Sequence, residues 1–136
     1  MSVILRSLFV LALLGSFVST ASAVPNFLKQ FAGLYLNDSN AEYGTAVKEA
    51  KCYLCHQGKN KKNHNAYGEA LEHEGLTKAD KNDVEKILAA LEAVAALSSD
   101  PETEGAPTYG ELIAQGELPG GSLEDSMKEP EESEEE

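Results

Sequence analysis

The sequence predicts an all-α domain of four to five short helices, on three observations. Apolar residues recur at spacings of three and four in several segments, as one buried face of a helix requires. Capping signatures stand just before those segments. No stretch of useful length alternates apolar and polar residues as a half-buried strand would. With 136 residues, the chain has room for one small domain and one modest core.

The elements follow in order. Pro25 can open a first helix, with Phe27, Phe31, Leu34 and Tyr35 along one face. Asn37 to Asn40 breaks it. Ser39 with Glu42 forms a capping-box pattern, and Tyr43, Val47, Ala50 and Leu54 carry a second helix forward to Cys52-Tyr53-Leu54-Cys55-His56, with Gly58 as its stop. A third helix starts at Asn65 and ends near Gly75, sharing Tyr67 and Leu71 on one face, while Gly68 would allow close backbone approach. Thr77 with Asp80 caps the clearest segment, residues 78 to 97, striped by Val84, Ile87, Leu88, Leu91, Val94 and Ala95. Ser98 to Pro107 is a linker. Thr108 with Glu111 opens a short last helix that Gly116 closes, and Leu118-Pro119-Gly120-Gly121 turns the chain.

The motif at Cys52 carries the chemistry. C-x-x-C-H is the spacing of covalent haem attachment: two thiols about one helical turn apart can reach the two vinyl groups on one porphyrin edge. His56 then sits beneath the ring as proximal iron ligand. One haem c with its iron is the expected cofactor. On this reading the aromatic face of the first helix is either a wall of the haem site or ordinary core, and in a haem domain the two overlap.

Rival uses of the pair are weaker. A C-x-x-C disulfide oxidoreductase belongs to a βαβ pattern that is not present. A zinc site would have to add His64 and His73, at a spacing outside the usual range. A disulfide closing so small a ring would add little stability.

Through Cys52, Cys55 and His56 the chain resembles the class I monohaem cytochromes c, and in its helical make-up it also resembles small single-haem proteins secreted by bacteria. The resemblance implies haem attachment after export and a downstream Met as sixth iron ligand. The one Met beyond residue 23 is Met127, lying farther from the Pro119-Gly120 turn than that family would place it. His73 and His64 are the other distal candidates, and an open sixth position is the remaining one.

Address and charge agree with this chemistry. Residues 1–23 have the order of a secretory signal: Arg6, an apolar run from Leu8 to Leu14, and Ala21-Ser22-Ala23, with cleavage expected after Ala23. The run is too short to cross roughly 30 Å of hydrocarbon, so no transmembrane segment is expected in the mature chain. Cleavage would remove Arg6 and take the net charge from −12 to −13, which excludes nucleic acid as a natural partner. Residues 24–123 form the haem-binding domain. Residues 124–136, with eight acids and one Lys, read as a disordered acidic tail. Lys59 to His64, with Lys48 and Lys51, makes a local positive rim, read as a solvated loop or as a docking edge for an acidic redox partner.

The expected function is a periplasmic or secreted electron carrier rather than an enzyme, exchanging electrons with redox proteins in the periplasm or at the inner membrane. The alternatives are a haem-based sensor or peroxidase-like protein with an open distal site, and a haem-stapled interaction subunit of a larger redox complex.

Overall fold

The computed structural model describes residues 25–130, and the signal reading of residues 1–23 lies outside them, as do Glu131 to Glu136. The described chain is mostly helical. Its elements are α1 (Asn26–Tyr35), α2 (Ala41–Ala50), β1 (His56–Gln57), β2 (Asn63–His64), α3 (Ala66–His73), α4 (Val84–Ala95), α5 (Tyr109–Ala114) and α6 (Leu123–Met127). The six α-helices among the described residues exceed the expected four to five by α6. The antiparallel hairpin pairs His56 with His64 and Gln57 with Asn63, too short for any alternating pattern to announce it.

Several starts and stops differ from the sequence reading. Asn37, not Ser39, makes the cap before α2: its side chain accepts from Ser39 N, and Asn40 reciprocates within a 3-10 turn at Asp38–Asn40. The second helix ends at Ala50 and does not run into the cysteine motif. Lys51 adopts φ 50° and ψ −119°, a conformation that L side chains resist, and the chain continues as a 3-10 turn over Lys51–Leu54. Thr77 and Asp80 do form a capping box, but on a 3-10 turn at Lys78–Asp80. Asp83, accepting from Lys86 N at 3.0 Å, starts α4. The expected Thr108 and Glu111 box is present at α5.

The disordered tail expected from residue 124 is ordered where it is described. Ser122 caps α6 by accepting from Asp125 N at 3.1 Å, and Glu124 and Asp125 occupy the first turn, where the helix dipole favours negative charge. Composition alone argued for disorder. It missed that Ser126 is 3% exposed and that its carbonyl accepts from Gly58 N at 2.9 Å, fastening α6 to the segment just past His56.

α4 is the scaffold, packing against α1, α3 and α5. Ile87, Ala90, Leu91 and Val94 of α4 are buried with Phe31, Val47, Leu54, Tyr67, Tyr109 and Ile113. Full burial of an aliphatic or aromatic side chain stabilises by roughly 1.5–3 kcal/mol, so this cluster is the main favourable term. The 98–108 loop is held at its neck by the Ser98–Thr108 bridge, by Ser99 N donating to Pro107 O, and by Tyr109 N donating to Leu97 O.

One glycine sets how closely α3 meets the cysteine motif. A Cβ on Gly68 would lie 2.1 Å from Cys55 O and 3.0 Å from the Cβ of His64. Backbone cannot yield cheaply there. Gly68→Ala is therefore expected to destabilise by about 2–3 kcal/mol. Gly33→Ala in α1, where a Cβ meets nothing within 4 Å, should stabilise by about 0.5–1 kcal/mol. Urea denaturation of both variants checks the pair; equal effects would contradict the close approach.

Candidate functional site

Cys52 and Cys55 stand on one 3-10 turn, closed by Cys55 N donating to Cys52 O at 3.3 Å. Cys52 lies on the turn, and Cys55 is its C-cap, at φ −124° and ψ −17°. Both thiols are free. Lys51, the first residue of the turn, takes the positive φ that redirects the chain out of α2.

His56 follows on β1, with His64 as its cross-strand partner and the two rings 4.8 Å apart. Burial lowers the His56 pKa, the neighbouring His64 lowers it further, and the backbone of Asn63 acts in the opposite sense. Its neutral form is therefore favoured, which is the form that binds metals. The buried Nδ1 has no hydrogen-bond partner. His64 is engaged elsewhere, its Nδ1 lying 3.1 Å from Glu72 Oε2.

The Cys55 thiol is turned inward. Burial, and then the nearby Cys52, push it up to about 12, and Cys55 packs against the core cluster. Beside it stands Tyr67, 0% exposed, its hydroxyl buried without a partner and its pKa raised by burial first and by Cys55 next. Tyr43 likewise buries an unpartnered hydroxyl. Tyr35 and Tyr109 satisfy theirs on Leu91 O and Ala66 O, each at 3.1 Å. Tyr67 meets Tyr109 at 5.3 Å and Phe31 at 6.1 Å between ring centroids, so the aromatic face of α1 is continuous with the inner side of the motif.

Asn65, which the sequence reading treated only as a helix start, is the hub of the site. Its backbone N donates to Cys55 O at 3.0 Å; its Nδ2 donates to Tyr53 O at 3.0 Å and Leu54 O at 3.3 Å, and lies 3.5 Å from Ser126 Oγ. Its Oδ1 accepts from Gly68 N at 3.0 Å and so caps α3. At Gly120 a Cβ would come within 2.1 Å of that Nδ2. The local signal was Asn at an N-cap three residues before Gly; the partners across the motif had none.

The distal candidates fall in different places. His64 shares the hairpin with His56, and cross-strand partners have Cα atoms about 5 Å apart with side chains on one face. The hairpin sets the His64 ring beside that of His56, tilted at 42° to it. His73 is exposed at the end of α3, on a different face from Tyr67 and Leu71. Met127 is 49% exposed on α6, the helix that packs against both the motif turn and β1.

Among the described residues no three His, Cys, Asp or Glu side chains converge as a metal site of their own. Two cavities, of about 480 Å³ beside Pro119 to Ser122 and about 750 Å³ beside Tyr35 and Tyr43, are lined by neither cysteine nor by His56. A group held by the motif would cover its half-exposed side. No protein-family model matches the chain, and neither a curated protein nor a solved structure matches it.

The two thiols should differ in reactivity. Burial disfavours the Cys55 thiolate, the form that reacts. Iodoacetamide should therefore label Cys52 well ahead of Cys55 in chain produced without haem-attachment machinery, as peptide mass spectrometry would read. Tyr67→Phe removes a buried hydroxyl without a partner and should stabilise that chain by about 1 kcal/mol in urea denaturation. A loss of similar size would mean that the hydroxyl is bonded.

Proposed function

We propose that the chain is an exported one-electron carrier holding a single haem c, attached through Cys52 and Cys55 and ligated by His56. What carries the reading is the C-x-x-C-H on one short turn, with both thiols free and burial favouring the neutral form of the following imidazole. When bound, the haem would supply an Fe(III)/Fe(II) couple. The chain's own contribution is attachment and environment. Two thioether bonds would anchor the group; His56 would offer one ring nitrogen and keep the other, buried, on its inner side. Tyr67, Tyr109 and Phe31 would limit water on that side, and burial is one of the levers that set a reduction potential.

The proposed partners are redox proteins of the periplasm or inner membrane. Lys48, Lys51, Lys59, Lys61 and Lys62 are exposed around the motif and make no salt bridge among the described residues, so an acidic partner surface would meet them first. No described helix is long and apolar enough to cross a membrane. The exported location rests on residues 1–23.

A second reading, a ligand sensor or peroxidase-like protein, is favoured by His64 lying beside His56 and by His73 standing exposed at the end of α3. It would leave the sixth position open unless Met127 reaches it from α6. The third reading, an interaction subunit docked through its acidic end, is tested by removing residues 131–136 alone, because a cut at 124 would also remove α6.

Export of the full-length chain into a periplasm with haem-attachment machinery tests the proposal. Haem staining after denaturing electrophoresis should follow the chain and disappear in Cys52→Ala/Cys55→Ala. A low-spin spectrum with the weak long-wavelength band of sulfur ligation would assign Met127 and support the carrier; rapid carbon monoxide binding by the reduced protein would support the open site. Chain without covalent haem would overturn the proposal.

A further inference from the structure

We propose that Asn65 is a positioning residue that sets the C-x-x-C-H turn for its cofactor, by gathering the carbonyls of Tyr53, Leu54 and Cys55 on one side chain and its own backbone. This deepens the haem reading and rests on it. The three carbonyls are consecutive and belong to the residues between and at the two thiols, so whatever fixes them fixes the direction in which Cys52, Cys55 and His56 leave the backbone.

The residue type points the same way. Capping α3 needs only an acceptor on Gly68 N, and Ser or Asp supplies one as well as Asn does. The donating half of the amide is spent on the motif and on Ser126 Oγ. Among short side chains only Asn both accepts on one side and donates two N–H groups on the other. The surroundings leave that amide no freedom: Asn65 is 5% exposed, Gly120 closes over its Nδ2, and Gly68 brings α3 against Cys55 O. Ser126 extends the clasp to α6, which makes the C-terminal segment part of the device that holds the attachment turn.

The test separates the cap from the clasp. Asn65→Ser retains an N-cap acceptor and loses the donors; Asn65→Asp retains the acceptor and sets a carboxylate against two carbonyls. Both should keep the helical circular dichroism of the parent. In full-length chain made without haem, iodoacetamide labelling of Cys55 should accelerate by about tenfold in Asn65→Ser, as expected when two hydrogen bonds that hold the turn closed are lost, and more in Asn65→Asp. In the haem-loaded chain the reduction potential should fall as the inner side of the group becomes wetter.

A folded Asn65→Ser with the parent's Cys55 labelling rate and the parent's potential would overturn the inference. Should the Asn65 variants not fold, Gly120→Ala presses on the whole amide from outside while Asn65 itself is kept; it must show the same faster labelling, and parental labelling there would overturn the inference equally. If the parent takes no covalent haem, the haem reading fails, while the labelling rates still decide whether Asn65 holds the turn.

Discussion

The carbonyl oxygens of Tyr53, Leu54 and Cys55 lie where a tight turn meets the core, and a buried backbone acceptor left unpaired costs about as much as a lost hydrogen bond. The turn cannot satisfy them itself. A 3-10 turn of four residues bonds few of its own carbonyls, and the preceding helix has been broken at Lys51. The donors therefore come from another segment, and Asn65 supplies them. Much of the arrangement around the motif depends on this one need: α3 begins where it does because Asn65 is its cap, and α6 lies where it does because Ser126 approaches the same amide.

Close approach is what makes that arrangement possible. Gly68 lies against Cys55 O and Gly120 against the Asn65 amide, and at each the missing side chain is the space through which backbone or amide comes near. A scaffold is needed to hold such contacts, and α4 provides it by burying its Ile87, Leu91 and Val94 against α1, α3 and α5. Burial drives the assembly, while the polar clasp makes it specific at the motif.

The electrostatics around the proposed haem site have two layers. Inside, burial raises the Cys55 thiol and the Tyr67 hydroxyl and lowers the His56 imidazole, so the inner groups all favour their neutral forms. Outside, exposed lysines flank the motif in a chain whose net charge is −12. The acidic C-terminal segment enters this rim directly, with Glu129 Oε1 accepting from Lys59 N at 3.0 Å. A neutral interior under a charged rim is compatible with a group whose charge changes by one electron, because the interior then contributes no titrating partner of its own.

Helical class, the caps at Thr108 and Asn65 and the stops at Gly75 and Gly116 are legible in the sequence, because each depends on residues within one or two turns of each other. The end of α2 was less so: apolar periodicity continues through Leu54, and nothing local shows that Lys51 will take a positive φ. The ordering of residues 123–130 was hidden for a related reason, since their composition is that of a solvated tail and their stability comes from contacts more than sixty residues away in the chain. The sequence by itself determined the helical class and the donor set at the motif. Only the tertiary structure decided how that donor set is aimed, that His64 stands beside His56, and that α6 covers the turn, because these follow from long-range satisfaction of buried backbone groups, which no local pattern encodes.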